Sequence, residues 1–215
     1  MAAISSHMNP MIAHCALAVF CRAPVPGHAK TRLIPELGAG GAAALHARFA
    51  EQAVRIAVAA GIGPVTVWCA PDTHHMFFQN LTQKFPVKLA VQKGESLGHR
   101  MLQATQVTLS TAEAVILMGT DCPVLTTSYL HQAMQGMHDH DAVIGPAEDG
   151  GYVLLGLKQA TPEVFTDVPW GSGEVLAETL RRFTALRWRW LELARLYDVD
   201  TPTDLARWRR EAVHA

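Results

Sequence analysis

The chain has 215 residues, of which 49% are hydrophobic and 17% charged, enough apolar material for a sizeable core and too much for disorder. Eighteen basic residues against nineteen acidic ones give a formal charge of −1, without the basic surplus typical of nucleic-acid binders. No apolar run approaches the roughly 20 residues of a membrane span, and no basic segment followed by an apolar run marks a secretory leader. The expectation is a cytoplasmic protein with neither nucleic acid nor membrane as partner. The four cysteines, Cys15, Cys21, Cys69 and Cys122, show no C-x-x-C spacing and are read as buried free thiols.

Residues 1–11 are read as a flexible N-terminus, with Ser5-Ser6-His7-Met8 resembling a cloning remnant. From there, apolar strand-like runs alternate with helix-like segments. His14–Cys21 reads as a first buried strand. Ala39–Ala60, Ala-rich with helical spacing, reads as a long helix between Gly38 and Gly61. Strands follow at Val65–Ala70 and Val87–Gln92, then a helix at Leu97–Leu109. Ala114–Met118 (AVILM) is a strongly buried strand, and Ser128–His138 a helix. Ala142–Gly145 and Tyr152–Leu157 read as strands around an acidic, Gly-rich turn. Glu174–Phe183 is a helix, Trp188–Leu193 a strand, and Pro202–Ala212 a last helix capped by Thr201. This alternation indicates one α/β domain over 12–213, with a mostly parallel sheet covered by helices on both faces.

Ligands of such sheets collect beyond the C-terminal strand ends. That singles out three segments, and a fourth lies just before the last helix. Arg22-Ala-Pro-Val-Pro-Gly27-His-Ala-Lys30-Thr-Arg32 follows the first strand; its cations suit a phosphate chain, although it is neither a Walker A loop nor G-x-G-x-x-G. A solvated connector is the bland alternative. Gly119-Thr-Asp121-Cys-Pro places an acid at the tip of the most buried strand, where a divalent cation carrying a diphosphate would pair with it; a turn or capping aspartate is the alternative. Glu148-Asp149-Gly-Gly-Tyr152 is either a ligand-approaching turn or a simple hairpin. Asp198 and Asp200, two apart in an extended segment, share one face and would complete a metal site with Asp121. Other clusters are discounted. His74-His75 is placed on a helix, His138-Asp-His-Asp141 in a polar loop, and the Trp- and Arg-rich C-terminal stretch is read as core plus solvated face, or as a homodimer surface.

The five segments F-x-R-A-P-V-P-G-x-x-K-T-R-L, G-E-S-L-G-H-R-M, G-T-D-C-P, E-D-G-G-Y and D-V-D-T-P-T-D-L, in this order from Leu17 to Leu205, resemble a bacterial transferase family. It is the one associated with radical-SAM and selenodomain proteins, formerly a domain of unknown function. Ser96 and His99 depart from it, standing where members commonly carry acids. The resemblance implies a three-layer α/β/α sandwich of the GT-A, nucleotide-diphospho-sugar transferase type. It also implies nucleotide phosphates held by Arg22, Gly27, Lys30, Arg32 and Gly98, and Mg²⁺ or Mn²⁺ on Asp121, Asp200 and Asp198. Asp149 or Glu148 would be the general base on a small acceptor. The implied reaction is sugar transfer from a nucleoside diphospho-sugar. The alternatives are nucleotidyl transfer from a triphosphate with pyrophosphate release, and a catalytically silent nucleotide-binding protein.

Overall fold

Cys15–Arg22 forms β1, whose alternate side chains point to opposite faces and are nonetheless nearly all buried, the mark of a strand covered on both sides. The computed structural model describes residues 14–213, so the reading of 1–11 lies outside it. A 3₁₀ turn at Thr31–Leu33 leads into α1 (Ile34–Ala59), which Gly38 interrupts with φ 69° and ψ 165°; the regular part therefore begins at Ala39. β2 (Val65–Ala70), α2 (Met76–Lys84), β3 (Val87–Val91), α3 (Leu97–Leu109) and β4 (Ala114–Met118) continue the alternation. Then come α4 (Thr127–Asp139), β5 (Ala142–Pro146), β6 (Tyr152–Leu157), α5 (Val175–Ala185), β7 (Trp190–Glu192) and α6 (Pro202–Val213).

The seven strands form one sheet in the order β3-β2-β1-β4-β6-β5-β7. β6 runs antiparallel to both neighbours and every other pairing is parallel. The mostly parallel expectation holds, and the turn at 147–151 reverses the chain into the exception. β7 spans three residues rather than six, because it pairs only with β5 at the sheet edge.

One face of the sheet packs Leu17, Val19 and Ile116 against α1, α2 and α4. The other packs Ala18, Trp68, Val115 and Leu117 against α3 and α5. The result is the three-layer sandwich. β4 is buried along its whole length, and burying a Val, Ile, Leu or Met side chain contributes about 1.5–3 kcal/mol. α6 docks separately on α1 through Leu205, Phe49 and Val199. Thr201 and Asp204 cap it reciprocally: Asp204 Oδ2 accepts from the Thr201 amide at 2.8 Å, and Thr201 Oγ1 accepts from the Asp204 amide at 3.3 Å. All four cysteines are buried and free. Among the described residues no helix is long and apolar enough to cross a membrane.

Candidate functional site

The C-terminal ends of β1 and β4 meet at a buried lysine. Lys30 adopts the left-handed conformation (φ 45°, ψ 49°), which turns its side chain inward. That side chain is only 2% exposed, and Nζ lies 2.5 Å from Asp121 Oδ1 and 3.4 Å from Asp200 Oδ1. It also donates to the Val199 carbonyl at 2.7 Å and stands 5.4 Å from the centre of the Phe49 ring. An ammonium so far from water needs such partners, since an unpaired buried charge costs several kcal/mol.

The segment after Leu196 is pinned beside β4. Val199 N donates to the Asp121 carbonyl at 2.9 Å, which sets Asp198 and Asp200 on either side of that bond. Asp204 Oδ2 accepts from the Asp200 amide at 3.2 Å and so fixes where the segment enters α6. The three carboxylates feel one another. Burial, reinforced by Asp121, Asp200 and Asp149, pushes the Asp198 carboxyl up to about 7. Burial and Asp121 also raise Asp200, with Lys30 opposing. Asp121 goes the other way: burial would raise it, but His46 and the Lys30 ammonium outweigh that and hold it well below the usual carboxylate range. Its Oδ1 is buried while 41% of the side chain remains exposed, so this acid faces both the lysine and solvent.

His46 is a site residue that the sequence reading missed. It lies on the buried stripe of α1 with Ala42, Ala43, Phe49 and Ala50. Nε2 is 2.9 Å from the Arg22 carbonyl, and Nδ1 is 3.7 Å from Asp121 Oδ1. One imidazole thus spans the ends of β1 and β4. The available signal was a histidine on the inward face of an Ala-rich helix.

Two concavities open on either side of this seam. An acid-lined cleft of about 470 Å³ lies over β4 and β6, between Asp149, Asp198, Asp200 and Arg32 on its polar side and Met101, Tyr152 and Trp170 on its apolar side. A cationic pocket of about 500 Å³ lies over the ends of β1, β2 and β3, with Arg22, His28, Gln92 and Arg100 as its polar groups. Both are within the usual size of small-molecule sites.

The wall of the cleft is a close glycine contact. Gly150, at φ 88°, lies against Gly173, where a Cβ would come 2.1 Å from the Gly173 carbonyl oxygen. Leu176 N donates to the Gly150 carbonyl at 2.9 Å, joining the turn to the start of α5. Asp149 Oδ1 accepts from Gly151 N at 2.9 Å, which fixes the carboxylate at the cleft.

The structure therefore brings together Lys30, Arg32, Asp121, Asp149, Asp198 and Asp200, and sets Arg22 in the neighbouring pocket. Two further candidates are set apart from this group. Glu148 turns away to α6, where its Oε2 accepts from Arg207 Nη1 at 2.8 Å, because adjacent residues of a turn diverge. Gly98 is a packing residue: a Cβ there would come 2.2 Å from the Phe165 carbonyl oxygen and 2.6 Å from Trp170 Nε1. Gly27 provides a turn at φ 82°. His75 is not within a helix but caps α2, its Nδ1 accepting from Phe77 N. Asp141 clamps the sheet edge by accepting from Arg189 N.

Among the described residues no three or more His, Cys, Asp or Glu side chains are grouped as a metal site. Lys30 lies between two of the acids. The donor set still fits a hard cation. Mg²⁺ is commonly held by one or two carboxylates together with substrate phosphates, and three carboxylates, Asp121, Asp198 and Asp200, lie near one another here.

The sequence pattern of one bacterial family matches residues 53–172, more than half the chain. The chain belongs to that family, DUF2064, described as an uncharacterized protein conserved in bacteria. The match takes in Asp121 and Asp149 but neither Lys30 nor Asp200. No curated protein matches in sequence. Among solved structures, this family member is similar to a "putative nucleotide-diphospho-sugar transferase" of Desulfovibrio desulfuricans, with 30% identity and a TM-score of 0.84 over 92% of this chain and 87% of that one. The fold is shared with the 4-diphosphocytidyl-2C-methyl-D-erythritol synthase of Anaerococcus prevotii (8% identity, TM-score 0.64) and with a nucleotidyl transferase of Methanothermobacter (16%, 0.63). Each of these covers 94% of this chain and 99% of its own. The architecture is that of nucleotide-sugar transferases and nucleotidyltransferases.

Proposed function

We propose that this DUF2064 protein transfers a sugar from a nucleoside diphospho-sugar to a small hydroxylated acceptor. The observation that carries the reading is the seam itself, where a buried lysine and three carboxylates separate a cationic pocket from an acid-lined, aromatic cleft. Arg22 and Arg100 suit the nucleotide half of the donor. Trp170 and Tyr152 suit the apolar face of a sugar ring, and Asp149, Asp198 and Asp200 suit its hydroxyls. The 30% identity to the Desulfovibrio protein supports this donor class.

Asp121 and Asp200, with Asp198 beside them, would hold Mg²⁺ or Mn²⁺, which supplies neutralisation of charge on the diphosphate. Lys30 and Arg32 add fixed positive charge at the same place, at no cost of reorganisation during reaction. Asp149 accepts the proton of the acceptor hydroxyl as that oxygen bonds to the anomeric carbon; the bond from that carbon to the diphosphate oxygen breaks, and the nucleoside diphosphate leaves. Glu148 has no part in this step.

A second reading, nucleotidyl transfer with release of pyrophosphate, is favoured by the number of cations on one loop. Arg22, Lys30 and Arg32 all lie between β1 and α1. Calorimetric titration with paired nucleoside triphosphates and diphospho-sugars, with and without manganese, separates the two. Tighter, metal-dependent binding of a diphospho-sugar supports sugar transfer. Preference for a triphosphate supports nucleotidyl transfer, and absence of binding by either class contradicts both.

A further inference from the structure

Lys30 and Arg32 lie on the same loop after β1, and their surroundings differ. Three oxygens stand around Lys30 Nζ: Asp121 Oδ1 at 2.5 Å, the Val199 carbonyl at 2.7 Å and Asp200 Oδ1 at 3.4 Å. An ammonium has three N–H donors and no acceptor, so the protein supplies one oxygen for each donor. The backbone at Lys30 is left-handed, the side chain is buried, and Nζ stands over the Phe49 ring. Swinging this ammonium out to a ligand would strip both carboxylates of their counter-charge. Arg32, by contrast, is exposed and lines the cleft, with no hydrogen bond or ion pair among the described residues. Its guanidinium fork is open to a ligand. Both aspartates meet Lys30 through Oδ1 and remain partly exposed. In Asp121 that exposure does not include Oδ1, which is buried. The ammonium therefore holds its inner oxygen and leaves the outer one towards solvent.

We infer that Lys30 is a positioning residue and not a phosphate ligand: it holds Asp121 and Asp200 together by one oxygen of each, and Arg32 is the cation of the loop that meets the phosphate in the cleft. The inference rests on the reading above, in which those aspartates take a divalent cation beside a diphosphate, and it divides the cations of the loop between the two tasks. Two carboxylates converging on one point repel each other unless a positive charge stands there. Lys30 supplies that charge in the ligand-free protein, so the pair is already assembled. The same charge opposes uptake of a divalent cation by the two aspartates. The protein alone then binds such a cation weakly, and a diphosphate adds the negative charge that favours it.

Two titrations of the full chain test this. In the first, inorganic tripolyphosphate is added with a chelator present. The double variant Lys30→Met/Asp121→Asn removes equal and opposite charges and leaves neither partner stranded, so it should bind within about threefold of the wild type. Arg32→Met should bind more weakly than that, by at least about fivefold, having lost a charge-assisted contact. A greater loss in the double variant, or unchanged binding in Arg32→Met, overturns the inference. In the second, manganese alone is added and the free aquo ion is followed by electron paramagnetic resonance. Lys30→Met, or Lys30→Gln should the first not fold, is expected to bind manganese at least about tenfold tighter than the wild type, because a like charge has gone. Damage to the fold could only weaken binding, so unchanged or weaker binding also overturns the inference. If the wild type takes up no tripolyphosphate, the diphosphate reading falls, and the manganese comparison still decides the role of Lys30.

Discussion

The two concavities are neighbours on one sheet edge, yet they are built from opposite chemistry. The pocket over β1, β2 and β3 is lined by strand ends from the all-parallel half of the sheet, and its polar side chains are two arginines, a histidine and one fixed amide. The cleft over β4 and β6 lies where the sheet turns antiparallel, and it is walled by acids, aromatics and glycine-tight turns. The parallel half presents adjacent strand ends, a natural setting for a phosphorylated ligand. The reversed strand brings a turn, 147–151, to the same edge and so adds Asp149 to a surface that parallel strands alone would leave to their connecting loops. Lys30, Asp121 and Asp200 lie on the boundary and couple the halves.

The sharpest way to break that coupling is Lys30→Met. It leaves Asp121 Oδ1 buried without its ammonium. Breaking a buried pair costs about 3–5 kcal/mol, and the low end is expected because Asp121 is 41% exposed. Thermal unfolding should show the midpoint falling by about 2–4 °C for each kcal/mol in a chain of this size. An unchanged midpoint would mean that the two halves are not tied together at this lysine.

Gly150→Ala attacks the cleft alone. The added methyl meets the Gly173 carbonyl, and the backbone there is at φ 88°, for an expected loss of about 2–3 kcal/mol. Diphospho-sugar binding should weaken while tripolyphosphate binding stays. Equal loss of both would show that the two concavities are one site.

Asp198 provides a pH signature. Its pKa is raised from 3.8 to about 7, so the folded protein holds a proton that the unfolded chain releases. The stabilisation is complete below pH 3.8 and is lost as pH rises towards 7. Asp198→Asn should therefore be more stable than wild type at pH 8, by about 1 kcal/mol after allowance for partial exposure, and the difference should vanish at pH 4. A stability gap that is the same at both pH values would contradict the acid cluster.

The smallest effect is expected at Glu148→Ala. An exposed ion pair with Arg207 is worth less than about 1 kcal/mol, and turnover should be unchanged, whereas Asp149→Asn should abolish it. Parallel rate measurements on the two variants check which of the adjacent acids serves the cleft.

Strand positions were legible because Ala114–Met118 and Val65–Ala70 are runs of apolar residues that no surface element would carry. The direction of β6 was not, since a Gly-Gly turn is compatible with a hairpin or a longer return. Lys30, Asp121 and the 198–200 pair were visible as charges just past strands. What brings them together, the bond from Val199 to Asp121, is a backbone contact across 78 positions with no side-chain signature. His46 hid inside an Ala-rich helix, where its histidine resembles any other helical residue. The separate placing of Glu148 and Gly98 was not legible, for a common reason. A motif names neighbours, but the turn at 148–149 and the crossing of α3 beneath Trp170 send adjacent residues in different directions.

The central claim is that a cation and a diphosphate meet at the seam. Crystals of the protein grown with manganese and a nucleoside diphosphate, measured at the manganese absorption edge, test it most directly. The account predicts an anomalous peak within coordination distance of Asp121 and Asp200, with the diphosphate reaching it from the Arg22 side. Nucleotide bound with no peak between those two carboxylates, or a peak elsewhere on the molecule, would contradict it.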